Sequence, residues 1–321
     1  MARRNFLCLL HLLIPTIARA QGDLEGIWQG ATTAAKAWLD SGNSLPFPVA
    51  FSPESVEMSS VHLEEAHTRI ASLVEDSKIG GASFSVMKDG EIVTMQTYGY
   101  ANVETEQPIR ADTIFRIFSQ SKPISTAAFL TLIDEGLVSY NDPVSLYIPE
   151  FATMKVYDPI TGTNVALERP ITIWHLLTHT SGLTYGFMDN THVDQLYNKN
   201  DILNPDEDLA TKIKRVAKLP LTCQPGTKWQ YGLSTDVLLL IASLVTGLPI
   251  DEFLQRRLLE PLGMTDTGFY VPLYNAHKLA IVYQRNMTDG TIHRPPPDPH
   301  NIQLVDYTKR PKHDEIRTDA S

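Results

Sequence analysis

The sequence has few cysteines, no surplus of positive charge and no long apolar segment after its first residues. Two cysteines occur in 321 residues, and removal of an N-terminal leader containing Cys8 would leave Cys223 without an intramolecular disulfide partner. The formal net charge is −10, and an acidic chain is a poor ligand for nucleic acid or anionic lipid. No later apolar run reaches the ~20 residues that a bilayer-spanning helix needs. We therefore expect neither a nucleic-acid partner nor a membrane span.

The N-terminus, MARRNFLCLLHLLIPTIARAQ, has the order of a secretory signal peptide. A basic start precedes a continuous apolar core, and Ala18-Arg19-Ala20 forms a small-x-small cleavage site before Gln21. A mitochondrial presequence is the alternative, because no acid occurs before Asp23. The sequence predicts a signal peptide at 1–20, an N-terminal arm at 21–53, and secretion, with a mitochondrial location as the alternative.

The remainder, 54–321, is predicted to form one domain of α+β class, with an antiparallel sheet and a helical subdomain. Residues 54–78 have apolar residues at helical spacing, and the two β-rich runs that follow flank Asp89-Gly90, a strong hairpin signal. Further helices are predicted at about 119–135, 172–179, 234–246 and 250–259, each ending near a glycine or proline. The apolar run at 237–245 is too short to span a membrane and predicts a buried helix.

The stretch FRIFSQSKPIS contains a serine, Ser119, three residues before Lys122. The same spacing occurs at Ser85 and Lys88, within the first predicted strand. Residues three apart on a strand point to opposite faces, whereas on a helix they are neighbours. Ser119 opens a run with a helical pattern, so the second pair is the one that brings a hydroxyl and an amine together.

Such a pair supports nucleophilic catalysis, because a serine hydroxyl needs a nearby base and a neutral amine is one. Burial, a second cation or a helix N-terminus favours the neutral amine. On spacing alone, a capping serine beside a solvent-facing lysine is the more common arrangement. The wider sequence pattern is therefore needed to choose between the two interpretations.

That wider pattern resembles the serine β-lactamase-like superfamily, which holds penicillin-binding proteins, class C β-lactamases and related esterases. The resemblance covers about residues 55–275 and rests on segments in the family's order: GASFSVMKDGEIV, FRIFSQSKPIS, LIDEGLVSYNDPVSLYIPEF, ITIWHLLTHTSGLTYGF, PGTKWQYGLSTDVLLLIASLVTG and LEPLGMTDTGFYVP. LTYGF and LGMTDTGFYVP are most similar to the esterase and transesterase branch. The resemblance implies a β-lactamase/transpeptidase-like fold.

The resemblance also implies a catalytic site in which Ser119 is acylated, Lys122 transfers protons and Tyr231 completes the constellation. The family's third group usually follows the tyrosine as Tyr-x-Asn or Tyr-x-Ser, whereas here Tyr231 is followed by Gly232 and Leu233, with Ser234 one place late. No cofactor is implied. A metal site at His175 and His179 is not predicted, because the glutamate of HExxH is absent.

A third family motif, K-T-G or H-x-G on a pocket-lining strand, has no counterpart between 276 and Ser321, so the C-terminal strands are predicted to be missing. Two functions follow. The first is an acyl-enzyme hydrolase of small-molecule esters or amides, with ester cleavage or transesterification ahead of β-lactam or D-peptide cleavage. The second is a catalytically impaired, truncated relative that acts as a binding or assembly module. The sequence makes no prediction of oligomeric state.

Overall fold

The computed structural model describes residues 47–204 and 207–295, which fall into two compact units. The first contains the described residues up to Ile114 together with Ala280–Pro295, and the second contains Phe115–Leu279. The predicted signal peptide, most of the predicted arm at 21–53, and residues 296–321 lie outside the described residues. The boundaries predicted for these segments, and secretion, stay predictions.

The described regions are mixed in secondary structure and agree with the α+β class. The α-helices are α1 (Ser60–Glu75), α2 (Ser121–Asp134), α3 (Ile173–Leu177), α4 (His192–Lys199), α5 (Leu209–Val216), α6 (Ser234–Thr246) and α7 (Ile250–Leu254). The strands are β1 (Gly81–Lys88), β2 (Glu91–Asn102), β3 (Gln107–Pro108), β4 (Lys155–Asp158), β5 (Thr163–Ala166), β6 (Gln284–Arg285) and β7 (Ile292–His293). Short 3₁₀-helices cover Pro53–Val56, Phe118–Gln120, Val144–Leu146, Pro149–Thr153 and Leu273–Lys278, and Gln255–Leu259 forms a short π-helix.

The first unit is built on the predicted hairpin. Strands β1 and β2 pair antiparallel, β3 adds to β2, and the turn residues Asp89 and Gly90 have φ values of 53° and 82°. Two consecutive positive φ values are typical of the tight turns that match strand twist. The hairpin prediction is confirmed, and Ser85 and Lys88 both lie on β1.

Helix α1 covers part of this sheet with the face on which three of its apolar residues, Ala66, Ile70 and Leu73, are half-buried. Val61 is 65% exposed, whereas Leu63 and His67 are buried. The His67 ring can be buried because both of its nitrogens have hydrogen-bond partners: the Tyr98 hydroxyl at Nδ1 and the Thr94 hydroxyl at Nε2. Polar groups with partners inside the protein avoid the desolvation penalty, which an apolar pattern cannot reveal.

The second unit has its core around α6, which packs against α2, α3, α5 and α7. Residues Val237 to Ala242 of α6 are all buried, which confirms the predicted buried helix over that part of the run 237–245, whereas Leu244 is 55% exposed. Helix α6 ends at Gly247, which has a φ of 69°. Among the described residues no single helix is long and apolar enough to cross a membrane; α6 and Ile250–Leu259, bent by 84°, meet the criterion only as a pair.

Candidate active site

Ser119 lies in the short turn that leads into α2. The turn spans Phe118–Gln120, and Ser119 is exposed. Phe118, directly before it, has a φ of 45°, a left-handed conformation that aromatic residues rarely adopt. Such strained positions cluster at functional sites, where the surrounding packing holds them in place. The strained turn therefore presents the Ser119 hydroxyl to solvent in a fixed position.

Lys122 lies in the first turn of α2 and points back to this serine. Its side chain is buried, with 7% of its surface exposed, and its Nζ donates to Ser119 Oγ at 3.3 Å. Pro123 follows without disrupting α2, because the first helical turn has N–H groups with no intrahelical acceptor. Within residues 47–204 and 207–295, none of the ion pairs includes Lys122. The amine is therefore held by the serine and by neighbouring rings.

Two tyrosine rings provide that contact. The Lys122 Nζ lies 4.9 Å from the Tyr231 ring centroid and 5.2 Å from that of Tyr185. Both distances are within the ~6 Å of a cation–π contact. Tyr185 is 2% exposed. Its hydroxyl donates, over 3.4 Å, to Oδ2 of Asp236, a residue in the first turn of α6. Lys122 is thus enclosed by aromatic faces and fixed in direction.

Tyr231 reaches the same serine from a distant part of the chain. Its hydroxyl donates to Ser119 Oγ at 2.7 Å, across 112 residues of sequence. The structure thus brings Ser119, Lys122 and Tyr231, the three residues predicted from the sequence, into direct contact. Their catalytic roles stay a prediction.

The motif after Tyr231 departs from the usual one at its third position, where Leu233 is fully buried in the hydrophobic core and offers no polar group. Gly232, between Tyr231 and Leu233, lies close against the backbone of Leu183 and Thr184. A Cβ at Gly232 would lie 2.4 Å from the Leu183 carbonyl oxygen and 2.7 Å from Thr184 Cα, so a side chain has no room there. Ser234 is fully buried and hydrogen-bonds Ser181 Oγ at 3.0 Å. Ser234 therefore joins two backbone segments, whereas the side chains that donate to Ser119 Oγ are those of Lys122 and Tyr231.

His179 packs beside the site. Its ring lies 5.4 Å from the Tyr231 ring and 6.2 Å from that of Trp229. Burial, and then the charge of Lys122, lower the pKa of His179 below its ordinary value. The neutral imidazole is therefore favoured, and within the part of the chain that the structure describes its buried Nδ1 has no hydrogen-bond partner. A neutral ring adds no second positive charge next to Lys122.

The other polar residues considered in the sequence make contacts that do not involve Ser119. Lys88 forms an ion pair with Glu57 at 3.5 Å, while Ser85 is exposed on β1. His175 Nδ1 accepts from the Thr172 backbone N–H at 3.1 Å, which caps α3.

Among the described residues no group of three His, Cys, Asp or Glu side chains is arranged to hold a metal. Cys223 is a free, half-buried cysteine, and its Sγ lies 3.9 Å from the Lys228 carbonyl oxygen.

Sequence reasoning did not assign Tyr185, His179, Trp229 or Asp236 to this site. Tyr185 and Trp229 lie inside the motifs LTYGF and KWQYGLS that supported the resemblance, so the signal was present without a stated role. His179 was considered as a metal ligand alone. Asp236 reads as an ordinary acidic residue of a helix first turn, and only the fold shows that it is fully buried beside Tyr185.

Comparison with known proteins agrees with this geometry. The Beta-lactamase family model matches residues 66–302. Esterase EstB of Burkholderia gladioli is 36% identical over 61% of this chain and 48% of its own length, and the lovastatin esterase of Penicillium rubens is 31% identical over 63% and 52%. The solved structure of EstCE1, described as a hydrolase with promiscuous acyltransferase activity, superposes with a TM-score of 0.62 at 27% identity, over 72% of this chain and 58% of its own.

The chain belongs to the β-lactamase family, as both the matched model and the fold show. Its relatives include esterases and acyltransferases, which agrees with the branch indicated by the sequence. The chain spans about half of the length of the esterases that it matches, 48% and 52%. Its own activity is therefore a matter for proposal.

Proposed function

We propose that this chain is a serine esterase that works through an acyl-enzyme on Ser119 and releases the acyl group to water or to an alcohol. The observation that carries the proposal is the pair of contacts on one oxygen: Tyr231 at 2.7 Å and Lys122 at 3.3 Å from Ser119 Oγ. A nucleophilic hydroxyl needs a proton acceptor in direct contact, which an uncharged Lys122 amine provides, and a proton donor for the leaving group, which the Tyr231 hydroxyl provides.

The reaction follows from these contacts. In the form of the site that has an uncharged Lys122 amine, Ser119 Oγ attacks the ester carbonyl carbon and its proton passes to Lys122 Nζ, 3.3 Å away. When the carbonyl re-forms, the bond to the alcohol breaks, and the alcohol oxygen takes the hydroxyl proton of Tyr231, which leaves a phenolate beside the Lys122 ammonium. In the second half, water or another alcohol gives its proton to the Tyr231 oxygen and attacks the acyl carbon, and Ser119 Oγ leaves with the proton held by Lys122.

The neighbouring groups support an uncharged, ester-type substrate. Burial lowers the pKa of His179 and so favours its neutral form, and Lys122 is held by rings and by Ser119. The esterases among the relatives, EstB and the lovastatin esterase, favour the same substrate class. We therefore propose esters ahead of β-lactams and D-peptides.

Turnover of p-nitrophenyl acetate tests this function. We expect p-nitrophenol release that disappears in Ser119→Ala and persists in Ser85→Ala, the matched serine of the same S-x-x-K spacing on β1. Equal loss in both variants would contradict the assignment of Ser119. No release from folded protein, shown to be folded by circular dichroism, would favour the alternative of a binding or assembly module.

A further inference from the structure

Four aromatic side chains form a continuous row past the Ser119 hydroxyl, and we call it the aromatic row: Phe187, Tyr185, Tyr231 and Trp229. Successive ring centroids are 5.6, 5.4 and 6.2 Å apart, which is the range of stacked and tilted aromatic pairs. The two inner rings contact Lys122. The two outer rings, Phe187 and Trp229, are each 61% exposed.

Exposed apolar side chains are common on protein surfaces, so exposure alone indicates nothing. The outer rings differ because their backbones are fixed. The Gly226 N–H donates to the Thr180 carbonyl at 2.8 Å and the Gln230 N–H to the His179 carbonyl at 2.7 Å. Trp229 therefore lies between two backbone anchors, and a ring held in place loses less entropy when it binds a ligand.

The loop that carries Phe187 is also fixed, because two side chains of α4, Asp194 and Asn198, hydrogen-bond to it. Asp194 is 1% exposed and accepts from Thr184 Oγ1 at 2.7 Å and from the Thr191 N–H at 3.0 Å. Asn198 donates to the Gly186 carbonyl at 2.6 Å. These bonds hold the loop at both ends and in the middle, so Phe187 is presented on a rigid support.

The position of Tyr231 in the row suggests which part of a substrate the outer rings contact. In the proposed reaction Tyr231 protonates the departing alcohol and takes the proton of an incoming alcohol, so the alcohol oxygen binds at the Tyr231 hydroxyl. The Tyr231 ring is nearly parallel to that of Trp229, with 23° between their planes. The carbon part of that alcohol therefore has an apolar ring within reach, whereas water gains nothing from it.

We propose that Trp229 and Phe187 form an acceptor subsite that binds the apolar body of an alcohol. The proposal rests on the proposed function and adds to it a preference for acyl transfer to aromatic or alkyl alcohols over hydrolysis. In this step the alcohol O–H proton passes to Tyr231, the alcohol oxygen bonds to the acyl carbon, and the acyl–Oγ bond breaks. Ser119 Oγ leaves with the proton that Lys122 took from it during acylation, so no proton is gained or lost.

The partition of one acyl-enzyme between two acceptors tests the subsite. With p-nitrophenyl acetate as donor, the ratio of benzyl acetate to acetic acid measures transfer to benzyl alcohol, and the ratio of methyl acetate to acetic acid measures transfer to methanol. These ratios do not depend on how much of the protein is active. We expect Trp229→Ala to lower the benzyl ratio about fivefold to tenfold, the scale of one aromatic contact, and to leave the methanol ratio unchanged.

Trp174→Ala is the matched control. Trp174 is 54% exposed and has its own aromatic neighbour, Tyr140, at 6.0 Å, but it lies outside the aromatic row. It should leave both ratios unchanged, and Phe187→Ala should lower the benzyl ratio alone. An unchanged benzyl ratio in Trp229→Ala, or an equal fall for benzyl alcohol and methanol, would overturn the proposal.

A binding measurement separates failure of the subsite from failure of the esterase function. In the acylation-deficient Ser119→Ala protein, 4-nitrobenzyl alcohol should quench tryptophan fluorescence saturably. The saturable part should persist with Trp174→Ala added and vanish with Trp229→Ala added. Non-saturable quenching in all three proteins would refute the subsite. A chain that releases no p-nitrophenol refutes the esterase and its transfer reaction, and the quenching then decides alcohol binding by itself.

Discussion

Gly232→Ala is expected to damage the site through a steric clash one residue away from the tyrosine. The added Cβ would lie 2.4 Å from the Leu183 carbonyl oxygen and 2.7 Å from both Leu183 C and Thr184 Cα. All three are backbone atoms of fully buried residues, and Thr184 is also tied to Asp194 at 2.7 Å. The clash therefore cannot be relieved by rotating a side chain, and the segment that carries Tyr231 must move.

The cost can be estimated from similar perturbations. Overpacking a tight interior costs about 1–3 kcal/mol of unfolding free energy, and a displacement of ~1 Å at a reacting group can cost about a hundredfold in rate. We expect a lower urea midpoint and p-nitrophenyl acetate turnover reduced about a hundredfold.

Gly268→Ala is the control for this prediction. A Cβ at Gly268 would meet a single atom, the Tyr270 carbonyl oxygen, at 3.7 Å, which is an ordinary contact. Gly268→Ala should therefore be neutral in both measurements. Full stability and full activity in Gly232→Ala would refute the close approach of Gly232 to Leu183 and the positioning of Tyr231 that depends on it.

Three further predictions follow from single contacts. Tyr231→Phe removes the hydroxyl at 2.7 Å from Ser119 Oγ and should slow ester turnover about a hundredfold to ten-thousandfold with little change in melting temperature. Asp194→Ala leaves the donors of Thr184 and Thr191 without their acceptor and should cost about 2–4 kcal/mol in urea unfolding. Burial and then the Lys122 charge lower the pKa of His179, so the folded chain binds that proton less tightly than the unfolded chain, whose histidine pKa is about 6.5. Stability should therefore fall as the pH drops below that value, and His179→Asn, which suits a φ of 53°, should make unfolding less pH-dependent.

The elements that the sequence predicted are those with strong local signals. Asp89-Gly90 defines the hairpin, and the glycine after Thr246 defines the end of α6. Helix α2 was predicted to begin at Ser119, whereas a 3₁₀ turn covers Phe118–Gln120 and the α-helix begins at Ser121. The predicted helix at 250–259 is α-helical only to Leu254 and continues as a short π-helix to Leu259.

Helices α4 and α5 and the β4–β5 hairpin were not predicted. Each helix is short, eight residues, and the N-cap side chains of Thr191 and Asp208 that begin them are the clearest local signs. The β4–β5 turn has Gly162 with a φ of 69°, but the four residues of β5 are exposed and show no alternation. Such elements depend on tertiary packing, which the sequence pattern does not encode locally.

The contacts of the candidate site also differ in whether a local sequence pattern predicts them. Spacing on a helix predicted that Ser119 and Lys122 are neighbours, because that contact is local. The approach of Tyr231 to Ser119 across 112 residues, and the contact of Tyr185 with the Tyr231 ring, depend on how the chain packs. A family resemblance located Tyr231, whereas physical reasoning from the residues alone did not reach it.

Covalent labelling with a fluorophosphonate, followed by peptide mass spectrometry, tests most directly whether Lys122 and Tyr231 activate the Ser119 hydroxyl. We expect a single adduct on Ser119 of the native protein, formed much more slowly in Tyr231→Phe and absent in Ser119→Ala. An adduct on another serine, or labelling that persists in Ser119→Ala, would contradict the activation of Ser119.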